Sequence, residues 1–311
     1  MRHRAAARLT TALALVAASF LISKLADIGI DTVADALSEA SLGFVLAALV
    51  LGQLPRVAQA VGTIGATSQP LPLGPTVGLQ FAVTFVNLAV PSTAARVALE
   101  MRYYQKQGVG RTGALTAGTV SGVAGFVVQL ALLVTAFALA GSTLDLQLEG
   151  DAGSTVVRLV GLALAFAGVA LLVVLVVAPL RHRVGPIVGQ VRAAVSGVFN
   201  PHHLGLLIGG NLAGEILFSL TLGLCVRALG YDLDLAQLVL INEAVAMFAG
   251  LMPIPGGIGV TEGALTAGLV ALGVPEAPAF AAVILYRMVT FYLPPLWGYV
   301  SMRWLVRNSY L

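Results

Sequence analysis

The chain has 311 residues, 58% of them hydrophobic and only 10% charged, with a formal net charge of +3 and a mean hydropathy of +0.95. Soluble domains carry about a quarter charged residues, so this composition excludes an ordinary soluble globule and predicts an all-α polytopic membrane protein. The basic excess does not imply nucleic acid as a partner, because it lies in short loops between apolar stretches. The single cysteine, Cys225, excludes an intramolecular disulfide and reads as apolar packing.

Taken in chain order, Arg2, Arg4 and Arg8 precede an apolar run over 8–26. It reads as an uncleaved first span, with a signal peptide over 1–24 as the alternative. Further stretches of bilayer length, about 20 residues, cover 41–64, 113–140, 156–179, 203–228 and 279–301. Pro55, just before Arg56, predicts a kink in the second span. Two other apolar regions, 76–107 and 236–273, are cut in the middle. The first is cut at Pro91, Ser92 and Thr93, the second from Pro253 through Pro255, Gly256 and Gly257 to Gly259. Each arm falls near or below spanning length, so both regions read as re-entrant helical hairpins.

The charges fit six full spans with both termini inside. Asp27, Asp31, Asp35 and Glu39 lie outside; Arg102, Lys106 and Arg111 inside; Asp145, Glu149 and Asp151 outside. Arg181, Arg183 and Arg192 follow inside, Asp232 and Asp234 outside, and Arg303 and Arg307 inside. A hairpin and a pair of crossings return to the same side, so ten spans satisfy the same rule. The order span, span, broken region, span occurs over 1–140 and again, with opposite orientation, over 156–301. The chain therefore reads as one transmembrane domain over 1–311 with inverted halves, the plan of many secondary transporters.

Six ionisable residues sit inside apolar segments: Arg56, Arg96, Arg287, Glu215, Glu243 and Glu262. An unpaired charge at the bilayer centre costs at least ~2.5–3.5 kcal/mol, so these groups must pair or face a wet cavity. They form either a polar path for a charged headgroup or ion pairs that lock helices together. Residues 252–263, Met-Pro-Ile-Pro-Gly-Gly-Ile-Gly-Val-Thr-Glu-Gly, cannot continue a helix. Irregular backbone at that depth must be buried in protein or line a cavity. Arg287 falls about eight residues into the last span, roughly 12 Å deep at 1.5 Å per residue. A hairpin would bring Glu262 to similar depth, which predicts a Glu262–Arg287 pair. The helix start after Gly257 or Gly259 is a ready anion site, as is one at Ser92 or Thr93 near Arg96. Alternatively, the glycines and prolines merely permit close packing.

Lesser signals complete the reading. Arg96 and Glu100 are four apart on one helical face, as are Asn211 and Glu215, which form a polar stripe or a helix–helix hydrogen bond. Gly118-x-x-x-Gly122 and Gly205-x-x-x-Gly209 predict tight helix packing. His202 and His203 read as an interfacial loop rather than a metal site, and no metal or cofactor is expected. No nucleophile elbow, zincin, Walker or dinucleotide motif occurs, so the chain is not expected to be an enzyme.

The stretch Pro253-Ile-Pro-Gly-Gly-Ile-Gly-Val-Thr-Glu-Gly, followed by Leu285-Tyr-Arg-Met-Val-Thr-Phe-Tyr-Leu-Pro-Pro, resembles the lysylphosphatidylglycerol synthase transmembrane-domain family. The residues carrying the resemblance are Pro255, Gly256, Gly257, Gly259, Glu262, Tyr286, Arg287 and Pro294, with a looser match at Asn87, Pro91 and Arg102. Where the family often has Gly-Glu after the proline, this chain has Ala95-Arg96. The resemblance implies a flippase of the bacterial inner membrane that moves a lipid, such as aminoacylated phosphatidylglycerol, between leaflets. A polyprenyl-phosphate-linked sugar, a small soluble solute, or a scaffold role beside a lipid-modifying or glycosyl transferase are the alternatives.

Overall fold

Apolar stretches of bilayer length fold as helices because a helix satisfies every backbone polar group within one segment. The computed structural model describes residues 30–89, 93–143, 200–251 and 255–311, and among them every regular element is helical. These are α1 (Ile30–Ser38), α2 (Leu42–Leu51), α3 (Leu54–Gly65), α4 (Leu73–Ala89), α5 (Thr93–Lys106) and α6 (Arg111–Thr143). Then come α7 (Pro201–Ala228), α8 (Leu235–Leu251), a short 3-10 turn (Pro255–Gly257), α9 (Val260–Ala271) and α10 (Glu276–Arg287). A π-helical turn (Met288–Tyr292) leads into α11 (Pro294–Arg307).

Four continuous stretches among the described residues are long and apolar enough to cross a bilayer: Leu42–Gly65, Arg111–Ala140, Pro201–Ala228 and Glu276–Arg307. They coincide with four of the expected spans. The other two, 8–26 and 156–179, lie outside the described residues, as do Pro91, Ser92 and Pro253. The kink expected at Pro55 is a break at Gly52–Gln53, with Pro55 in the first turn of α3, where a missing N–H costs nothing. Each broken region is a pair of helices packed on one another, α4 with α5 and α8 with α9.

The described residues form two compact units, each drawing on both sequence halves. The first comprises 30–53, 132–143, 216–251 and 255–293. In it, α10 packs on α1 and α9, and α9 packs on α8. Its core gathers Ala48, Leu222, Val226, Ile241, Leu265, Leu269 and Val283 around Cys225, whose side chain is wholly buried. Helix α9 ends at Gly273, whose φ of +90° closes the turn: Gly273 N–H donates to the Val270 carbonyl and Val274 N–H to that of Leu269.

The second unit comprises 54–89, 93–131, 200–215 and 294–311. Here α4 packs on α3, α5 and α11. Polar bonds stitch these helices: Gln80 Nε2 donates to Thr63 Oγ1 at 2.9 Å, and the Thr76 and Tyr103 hydroxyls lie 2.8 Å apart, all four residues being buried. Such bonds average about 0.6 kcal/mol within membranes.

Tight helix crossing occurs, but not where the glycine spacing pointed. Gly118, Gly122, Gly205 and Gly209 face open space. The close approach is between α3 and α7, where Gly62 meets Gly210 and Gly65 meets Leu207 backbone to backbone. Spacing alone cannot say which face of a helix meets a neighbour, and here the neighbouring Gly210 faces inward. Asn211 sits beside this crossing, against Gly62 and Gly125, and its Nδ2 donates to the Leu207 carbonyl of its own helix at 2.7 Å. His202 and His203 also differ from expectation: they lie in the first turn of α7, not in a loop. Asn200 caps that turn by accepting the His202 N–H at 3.1 Å, and Pro201 starts it.

Candidate functional site

The second break is built by glycine. Gly256, Gly257 and Gly259 have φ of +64°, +61° and +85°, which side chains rarely tolerate. A Cβ on Gly256 would also enter the Phe291 ring, and one on Gly257 would crowd Thr261 Oγ1. The turn directs two backbone groups, the Gly256 carbonyl and the Gly259 N–H, toward the same two charged side chains.

Those side chains are Glu262 and Arg287. Arg287 Nε donates to Glu262 Oε1 at 2.7 Å. Gly259 N–H donates to Glu262 Oε2 at 2.6 Å, and the Tyr292 hydroxyl donates to Glu262 Oε1 at 3.0 Å. Arg287 Nη2 donates to the Gly256 carbonyl at 2.8 Å, and its guanidinium lies 4.0 Å from the Phe291 ring centroid. The Glu262 side chain is 0% exposed and that of Arg287 9%. Two charges buried this deeply persist only when both are paired and hydrogen-bonded, and both are. The predicted pair is present. At this helix start, expected as an anion site, Glu262, third residue of α9, takes the N–H of Gly259. A carboxylate at that position folds back onto its own helix N-terminus, and nothing in the glycine pattern indicates it.

Phe291 and Tyr292 reach the pair from the π-turn. The Leu293 N–H donates to the Met288 carbonyl, a five-residue register, at 2.9 Å. Pro294 and Pro295 follow and bring no N–H, so the carbonyls one turn earlier lack their usual helical donors. Extra-residue turns of this kind are frequent at functional positions.

A second polar group belongs to the same unit. Glu243 is fully buried on α8; Asn242 Nδ2 lies 3.4 Å from Glu243 Oε1, and Tyr286 donates its hydroxyl to Asn242 Oδ1 at 2.9 Å. The remaining sequence candidates belong to the other unit. Arg56 Nη1 donates to Gln59 Oε1 at 2.9 Å, and the Arg56 charge acts on Glu215. Arg96 pairs with Glu100 of its own helix at 2.9 Å, with side-chain exposures of 50% and 20%. Thr93 opens α5. The structure therefore joins Arg287, Glu262, Gly256 and Gly259 into one cluster within the first unit, while Arg96 is paired within the second. Gln53, Asn242, Phe291 and Tyr292 contact these elements without having been singled out in the sequence. The visible signals were a glutamine inside an apolar span and paired prolines ending a helix.

The sequence profile of the lysylphosphatidylglycerol synthase TM region matches residues 8–298, nearly the whole chain. The chain belongs to that family. A UPF0104 membrane protein of Pyrococcus horikoshii is 37% identical over 71 residues, a stretch covering 23% of this chain and 21% of that protein. As a member of the lysylphosphatidylglycerol synthase TM-region family with several helices of spanning length, the protein is a multi-pass membrane protein.

Proposed function

We propose that this protein is a lipid flippase: it moves a phospholipid, aminoacylated phosphatidylglycerol being one candidate, between the leaflets of a bacterial inner membrane. The observation that carries the reading is the Arg287–Glu262 cluster at an interrupted apolar segment. Arg287 carries five N–H donors in a planar fork that suits phosphate, and its bonds to the described residues engage the Nε and Nη2 groups only. The remaining donors lie beside exposed Gly256 and half-buried Tyr292, an edge at which a headgroup phosphate can meet them. Ionisable residues buried within membrane segments are costly to keep there and mark candidate transport paths.

In this reading, 76–107 and 236–273 enter the bilayer as hairpins, the halves are inverted repeats, and both termini are cytoplasmic. Membrane lipids are the primary partners, and a lipid-modifying or glycosyl transferase would supply or consume the cargo. No catalysis is assigned to this chain. The test is transbilayer movement of fluorescent and aminoacylated phospholipids in proteoliposomes, wild type beside Arg287→Ala and Arg287→Lys. Wild-type movement that Arg287→Ala abolishes and Arg287→Lys retains in part is expected. Movement unchanged in Arg287→Ala, or none above protein-free vesicles, defeats the reading. A polyprenyl-phosphate sugar shares the phosphate chemistry, and competition between the two cargoes separates them.

A further inference from the structure

The π-turn leaves one carbonyl in difficulty. In an α-helix the Val289 carbonyl would accept from the N–H of Leu293. Leu293 N–H instead donates to Met288, one residue earlier. In the π register the donor for Val289 would be residue 294, which is a proline and has no N–H. Val289 is buried, so water does not readily take its place.

Gln53 supplies the missing donor from 236 residues away in sequence, its Nε2 lying 3.1 Å from the Val289 carbonyl. The same nitrogen donates its second hydrogen to the Leu49 carbonyl at 3.1 Å, so both carboxamide hydrogens are engaged. Its neighbour Gly52 lets α2 end flush on the turn, because a Cβ there would collide with the Val289 side chain. The break between α2 and α3 is thus fastened to the turn that carries Phe291 and Tyr292 to Arg287 and Glu262.

We infer that Gln53 is a positioning residue for the Arg287–Glu262 cluster. By taking the stranded Val289 carbonyl it holds the π register open, and so sets where the Phe291 ring and the Tyr292 hydroxyl stand. Without that donor the Val289 carbonyl loses the side-chain partner that holds it, and the aromatic pair loosens from the ion pair while the helices themselves remain. The consequence for transport rests on the flippase reading; the consequence for the turn does not.

The deciding experiment uses the full chain in lipid nanodiscs and proteoliposomes. Gln53→Met keeps the side-chain length and removes the donor. Pro294→Ala adds an N–H that reaches Val289 in the π register. Gln53→Met should speed amide hydrogen exchange across 289–293 about fivefold, the factor that one typical net hydrogen bond represents. It should also slow lipid movement several-fold per folded molecule, and Gln53→Met/Pro294→Ala should recover both. Unchanged exchange in Gln53→Met, or no recovery in the double variant, overturns the inference. If Gln53→Met yields no folded protein, the readout becomes folded yield, and failure of Pro294→Ala to restore it overturns the inference equally. Wild type that moves no lipid defeats the flippase reading while exchange still decides the role of Gln53. Wild type that moves lipid, with Gln53→Met unchanged in both measurements, leaves the reading standing and removes Gln53.

Discussion

Two arginines near two helix breaks, so similar in sequence, are treated differently by the fold. Arg287 is buried in one unit and held by Glu262, the Gly256 carbonyl and the Phe291 ring. Arg96, in the other unit, is half exposed and held by Glu100 four residues along its own helix. Exposed pairs of the second kind contribute ~0.3–0.5 kcal/mol, whereas removing one partner of a buried pair costs ~3–5 kcal/mol. The difference teaches that an arginine in an apolar stretch is not informative by itself. What matters is whether a neighbouring break brings it a second, distant partner.

The widest gap should appear in single substitutions. Arg287→Ala strands a buried carboxylate and should lower unfolding free energy in mixed micelles by about 3–5 kcal/mol. The double variant Glu262→Gln/Arg287→Met removes both charges and should recover most of that stability without recovering lipid movement. Equal losses in the single and double variants would mean that the pair does not behave as a pair. Tyr292→Phe removes one hydroxyl from the Glu262 carboxylate and should cost ~1.5 kcal/mol, near the lower bound for a bond to a charged group. Arg96→Ala should cost no more than about 0.5 kcal/mol in the same assay; a loss as large as that of Arg287→Ala would erase the contrast.

The smallest effect concerns Asp232, fully exposed beyond the end of α7. The Arg227 guanidinium, 2.7 Å away, holds the Asp232 carboxyl below the usual carboxylate range. A lowered pKa stabilises the fold above the ordinary aspartate value of about 3.9. The contribution is lost only as pH falls through the folded-state value, below that. Wild type and Asp232→Asn should therefore show closely similar melting at neutral pH, with any separation between them narrowing as the solution is acidified.

The four long spans that fall among the described residues were legible because a run of apolar residues has one stable answer in a bilayer. The Glu262–Arg287 pair was legible because depth can be counted in residues from a helix end. Three things required coordinates. The fold-back of Glu262 onto Gly259 depends on the N-terminal turn being closed, a matter of backbone angle. The crossing at Gly62 and Gly210 depends on which face of α7 meets α3, while the better-spaced Gly205 and Gly209 face outward. The brace from Gln53 to Val289 links positions 236 residues apart, and nothing local announces it. The hairpin reading and the inverted halves rest on hydropathy order, and their centres at Pro91 and Pro253 lie outside the described residues.

The burial of Cys225 has a practical consequence. It is the chain's only thiol, and it is shut within the first unit's core. A water-borne maleimide meets no native target in the folded protein. New cysteines placed one at a time through 76–107 and 236–273 can therefore be labelled from either side of a sealed vesicle in the native background. Each label reports the face its position reaches, and a hairpin and a double crossing give opposite patterns at their midpoints.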